Sequence, residues 1–214
     1  MKRLVIFTLV LSIAAVPAFA EMVRIVCNGT VEYNQVNSGI FADVNSGDTV
    51  FAEFCVDSDD YMDSGTYNVR SYPVILSTFQ LTIGSVGPVP LVMPQPNGET
   101  TYFNLRDNDP AADGMFMANA TEWPSAFPSL DEPGQIDPYF NFHWEVGYTG
   151  DTFNSLDILD AVGTYDYTGL TSFYTVIGDA WADAIGLEYV SMMIHTEGVA
   201  VESKTLTSVK SLFE

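Results

Sequence analysis

Runs of five to ten residues in which apolar and polar side chains alternate, each closed by a cluster of Gly, Asn, Asp or Pro, recur along nearly the whole chain. A two-residue period puts one set of side chains on each face of an extended strand, whereas a helix needs a period near 3.6. Strands are expected at 22–34, 49–57, 66–72, 74–83, 100–106, 139–148, 164–167, 171–177 and 187–196, with a weaker one at 199–209. NSGD at 45–48, DSG at 63–65, PNG at 96–98, ADG at 112–114 and YTGD at 148–151 read as turns. Helical signal is confined to Ser155–Ala161, closed by Gly163, and a weaker stretch from Asp179 to Ile185. Strands alternating with helices are thereby excluded as the main plan. The expected fold is all-β: a two-sheet antiparallel β-sandwich, jelly-roll-like, with one or two short helical turns.

Residues 1–20, MKRLVIFTLVLSIAAVPAFA, join a basic start (Lys2, Arg3) to an apolar run and an Ala18-Phe19-Ala20 close. That is the pattern of a cleaved signal peptide, with Glu21 as the mature N-terminus. Residues 21–214 then form a single domain, secreted or periplasmic, with no membrane insertion after cleavage. The 28 acidic residues against 7 Lys+Arg give a net charge of −21. Such a balance excludes nucleic acid as a partner, because phosphate binding needs clustered cations. It also suits an acidic shell that keeps a protein soluble in saline surroundings.

Cys27 and Cys55 are the two cysteines, and in an oxidising compartment their pairing would stabilise the fold by ~3 kcal/mol. Strand parity opposes it. Cys27 shares a face with Val23, Ile25 and Val31, while Cys55 lies with Phe51, Glu53 and Asp57, opposite the apolar set. A bridge would require a bulge or twist, and with that the Cys27–Cys55 disulfide stands as the expectation.

The opening GTVEYNQVNSGIFADVNSGDTVFAEFCVDSDDYMDSGTYNV and the later SLDILDAVGTYDYTGLTSFYTVIGDA with LEYVSMMI resemble exported β-sandwich proteins of the PEP-CTERM-associated type. The resemblance implies export and sandwich architecture rather than an activity. The ending, ESKTLTSVKSLFE, departs from that group's Pro-Glu-Pro, apolar helix and basic tail, so release is expected rather than surface sorting.

Three sets of residues carry candidate chemistry. Asp57, Asp59, Asp60 and Asp63 follow one strand, and Asp107, Asp109 and Asp113 follow another. Clustered loop carboxylates suit calcium, the one cofactor this composition brings into view, although neither run has the EF-hand spacing. In PYFNFHWEVGY, alternation sets Tyr139, Asn141, His143 and Glu145 on one face and Phe140, Phe142, Trp144 and Val146 on the core face. The stretch 119–138 carries Pro124, Pro128, Pro133 and Pro138, excludes a central strand, and presents Trp123 and Phe127. Together these form a candidate surface for a carbohydrate-type ligand, such as an extracellular polysaccharide or cell-surface component.

No nucleophile elbow, zinc-protease helix, phosphate loop or dinucleotide glycine pattern occurs, and no residue is named as catalytic. The expectation is an exported, non-catalytic β-module, structural or surface-associated. A ligand-binding module, calcium-assisted, is the alternative, and a glycoside-hydrolase-like enzyme is the second alternative.

Overall fold

The computed structural model describes residues 20–109, 111–120, 123–131, 140–178 and 183–197. Among the described residues twelve strands form: β1 (Met22–Asn34), β2 (Thr49–Asp57), β3 (Met62–Asp63), β4 (Val69–Pro73), β5 (Gln80–Ile83), β6 (Tyr102–Arg106), β7 (Ala112–Ala118), β8 (Ser129–Leu130), β9 (Phe140–Thr149), β10 (Gly163–Tyr165), β11 (Leu170–Gly178) and β12 (Ala184–Thr196). The hydrogen-bonded order is β3-β4-β6-β7-β9-β11-β12-β1-β2-β5, with β10 added to β12 and β8 to β9. Every strand pairing is antiparallel.

The all-β architecture is as expected. Its strands follow one continuous hydrogen-bonded path, and that path bends over on itself. Val56 of β2 bridges Val74, just past β4, and the Ile75 N–H donates to the Cys55 carbonyl at 2.9 Å. At the other end, Val89 N–H donates to Leu81 of β5, and Leu91 bridges Leu130 of β8. The bend lets strands far apart in the order meet across one core: Phe54 of β2 lies 5.6 Å from Phe103 of β6, and Phe79 lies 5.9 Å from Phe142 of β9.

Alternation predicts which side chains enter that core. Val23, Ile25 and Cys27 of β1, and Phe140, Phe142, Trp144 and Val146 of β9, are all essentially inaccessible. A second, small cluster of Val69, Phe116 and Ala118 lies apart from it, with Tyr67 packed against it.

Several expectations need correction. ADG at 112–114 is no turn but the start of β7, a strand in the middle of the path. Ser155–Ala161 is not helical. Its backbone makes only i→i+3 contacts, Asp160 N–H to Asp157 O and Ala161 N–H to Ile158 O. Strand side chains take up its polar groups instead. The Tyr72 hydroxyl donates to Leu156 O at 2.7 Å and accepts from Ile158 N–H at 3.0 Å, and Asp113 Oδ2 accepts from Phe153 N–H at 2.6 Å. The short helical turns that do form are 3-10 turns at Gly39–Phe41, Leu76–Thr78 and Pro96–Gly98. The second of these interrupts the strand expected at 74–83. Residues 179–182 of the weaker helical stretch, and the strand at 199–209, lie outside the described residues.

The expected disulfide does not form: Cys27 and Cys55 are both free and buried. They sit on adjacent strands, but Cys27 is level with Ala52 and Cys55 with Arg24. An odd offset of three residues places them on opposite faces of the sheet, which no side-chain rotation overcomes. Cys55 is buried on the outer face because residues 75–78 cover it, Thr78 Oγ1 accepting from its N–H at 2.8 Å.

Candidate functional site

The outward row of β9 is where the chain gathers polar groups on a strand. Asn141 pairs with Gly178 of β11, His143 with Val176 and Glu145 with Tyr174. The His143 imidazole meets the Tyr174 ring edge-on at 4.7 Å. Asn141, His143, Tyr174, Val176 and Gly178 line a cleft of about 120 Å³, and Ala126 closes one side. Ala126 is there because the proline-rich stretch folds back along β9: Phe142 N–H donates to Pro128 O at 3.0 Å, and Ser129 Oγ donates to Asn141 Oδ1 at 2.6 Å.

Glu145 extends the row toward β6. Its carboxylate lies 3.8 Å from the Arg106 guanidinium on one side and 3.9 Å from His143 Nε2 on the other. Neither separation is a hydrogen bond. Arg106 Nε and His143 Nε2 are buried, and neither has a hydrogen-bond partner among the described residues. Arg106 reaches Glu145 by crossing β7 over Gly114, where a Cβ would stand 2.9 Å from the guanidinium. A residue without a side chain at 114 is what opens this path, and the adjoining Phe116 ring lies 5.7 Å from the guanidinium carbon.

The structure thus brings Asn141, His143 and Glu145 into one row, as alternation predicts, but separates them from the other expected ligand residues. Trp123 is 61% exposed and packs edge-on against Tyr67 at 5.2 Å, beside the small outer cluster and not in the cleft. Phe127 is half-buried and is not among the cleft-lining residues. Tyr139 lies outside the described residues. Arg106, Ala126 and Tyr174 were not anticipated. Tyr174 was within reach of parity, sharing a face with Ser172 and Val176. Arg106 and Ala126 depend on strand order, which alternation does not reveal.

The acidic runs have other engagements. Asp57 Oδ1 accepts from Asp59 N–H at 2.9 Å, and Asp60 N–H donates to Asp57 O, so that run closes its own turn. Asp63 grips Arg70 through Nε at 2.6 Å, and this contact holds its carboxyl below the ordinary carboxylate range. Asp107 accepts from the Asn108 side chain, and Asp109 N–H donates to Ala112 O. Asp113 is fully buried, with Oδ1 and Oδ2 taken by the N–H groups of Asn108 and Phe153. Among the described residues, no three His, Cys, Asp or Glu side chains converge on a point where a metal ion could sit.

Chemically, the β9 row offers an imidazole and a carboxylate, β6 a guanidinium and β11 a phenol, within one small open cleft and its border. Such a set can exchange hydrogen bonds with a polar ligand. No protein-family model matches the chain, and no curated protein or solved structure matches it either.

Proposed function

We propose that the chain is an exported, non-catalytic β-domain, structural or surface-associated. The observation that carries this reading is the position of the first described strand. β1 starts at Met22, and the Glu21 N–H is seated on Ser58 Oγ at 2.9 Å, so a chain cleaved after Ala20 keeps its whole first strand. The test is the intact mass of the protein recovered outside the cytoplasm. A mass matching residues 21–214 supports export with cleavage, and retention of residues 1–20 on cytoplasmic protein overturns it.

The Asn141–His143–Tyr174 cleft favours a second reading, in which the domain holds a carbohydrate-type ligand. Among the described residues no carboxylate lines the cleft and Glu145 stands at its border, whereas glycoside hydrolysis needs two carboxyl groups flanking the bond. That supports binding over hydrolysis. In a titration with mono- and oligosaccharides followed by NMR, the imidazole signals of His143 should shift, and Tyr174→Ala should abolish the shift without changing the melting temperature. Shifts that survive Tyr174→Ala would remove the cleft from consideration.

A further inference from the structure

The segment between β5 and β8 forms one wall of an open groove of about 580 Å³, lined by residues other than those of the polar row. Leu76, Phe79, Pro88, Pro90, Leu91 and Met93 supply most of its surface, and Ser77 and Gln80 are its polar lining residues. The groove is built in advance of any ligand. Ile83 and Val86 exchange backbone hydrogen bonds at 2.8 Å, Val89 N–H donates to Leu81 O, and Asp131 N–H donates to Pro90 O, both at 2.8 Å. Gln95, buried, ties the far end by donating to Val92 O at 2.8 Å and to Ser129 O. Its floor is continuous with the core through Phe79, which stacks 6.0 Å from Phe54. A preformed apolar concavity of this size falls in the range of about 300–1,000 Å³ typical of small-molecule sites.

Charge narrows the occupant. The chain carries 28 Asp and Glu, yet among the described residues no ionisable side chain lines this groove. A net charge of −21 repels an anionic amphiphile, and the described lining holds no carboxylate to pair with a cation. Met93, 65% exposed at the groove, adds a flexible, polarizable side chain that adapts to different apolar shapes. We propose that this groove is a binding site for an uncharged, apolar small molecule, with the Gln80 amide as its polar contact.

A matched pair of probes tests both halves of this statement. N-phenyl-1-naphthylamine is neutral, and 1-anilinonaphthalene-8-sulfonate has nearly the same shape with a negative charge. With the mature chain, the neutral probe should give saturable one-site fluorescence, and the sulfonate should bind at least about tenfold more weakly. Met93→Glu and Gln80→Glu, both at exposed positions, should lower affinity for the neutral probe by about tenfold or more at unchanged melting temperature, while Met93→Leu retains it. Equal binding of the two probes overturns the neutrality of the site. Absence of saturation, or indifference to both glutamate variants, overturns the site itself. Concentration-dependent dimerisation abolished by Met93→Glu would give the groove to a second copy of the chain, and would equally overturn the proposal.

Discussion

Asp113 shows how one residue can be read two ways. In a run of loop carboxylates it looks like a metal ligand, whereas in the fold it is a buried anchor between the β6–β7 turn and the loop at Phe153. Asp113→Ala leaves two backbone N–H groups without acceptors. Each such loss costs about 1–3 kcal/mol, so a destabilisation of about 2–6 kcal/mol is expected in denaturant unfolding. A change under 1 kcal/mol would return Asp113 to a solvent-facing role. The tyrosines beneath that loop make a second residue-scale prediction. The Tyr148 and Tyr189 hydroxyl oxygens are 2.7 Å apart, and they also contact Asp166 O and Tyr165 O, so two protons serve three contacts. Burial raises the phenols of Tyr148 and Tyr189 and lifts that of Tyr165 to about 12. The unfolded chain ionises these groups near pH 10. Folded pKa values above unfolded ones mean that this stability is complete below about pH 10 and is lost as pH rises from 10 toward 12. The denaturant midpoint should therefore fall steeply over that window, and less steeply in Tyr165→Phe. Phenolate absorbance that develops in full near pH 10 in the folded protein, with no tyrosine held back to higher pH, would contradict this.

At the scale of elements, the sheet contains a split. β11 pairs with β9 along nearly its whole length but with β12 only at Val176–Gly178, while β12 continues along β1. The chain seals the opening with side chains. Thr175 Oγ1 donates to Leu187 O at 2.5 Å, and the Tyr167 hydroxyl donates to Tyr189 O. Phe173, on the inner face by parity, is 41% exposed at this opening and lies 6.4 Å from Tyr189. Thr175→Val is nearly isosteric but leaves the Leu187 carbonyl without its donor, so a loss of about 1–2 kcal/mol is expected. Hydrogen exchange at Leu187 and Tyr189 should accelerate in the same variant, with the β1–β2 amides little changed. Uniform acceleration across the sheet would mean that the split is not a separate weak element.

For the whole molecule, charge is the dominant variable. At −21 the folded state repels itself, and salt screens that repulsion. Sodium chloride should raise the melting temperature, a gain of about 1 kcal/mol corresponding to roughly 2–4 °C for a domain of this size. Calcium at matched ionic strength should add nothing further, since Asp113 is buried and occupied and Asp63 is held by Arg70. A chelator-reversible rise beyond the sodium chloride effect would contradict this and establish a metal site.

What the residues determine by themselves is parity. The period of two assigned Phe140, Phe142, Trp144 and Val146 to the core and Asn141, His143 and Glu145 to the other face, and it opposed a Cys27–Cys55 bridge, because alternation is a local property of an extended backbone. Partnership between distant segments is not local. Gly114 read as a turn residue until the fold placed it beneath Arg106 in a central strand. The stretch Ser155–Ala161 carried helix-like spacing, yet Tyr72 and Asp113 satisfy the loop's backbone from other strands, which removes the need for a helix. Trp123 and His143 looked like neighbours in one ligand surface, and in the fold Trp123 packs on Tyr67 while His143 packs on Tyr174. Strand order, burial of a carboxylate and the shape of a cleft all depend on which distant segments pair, and only tertiary structure decides that.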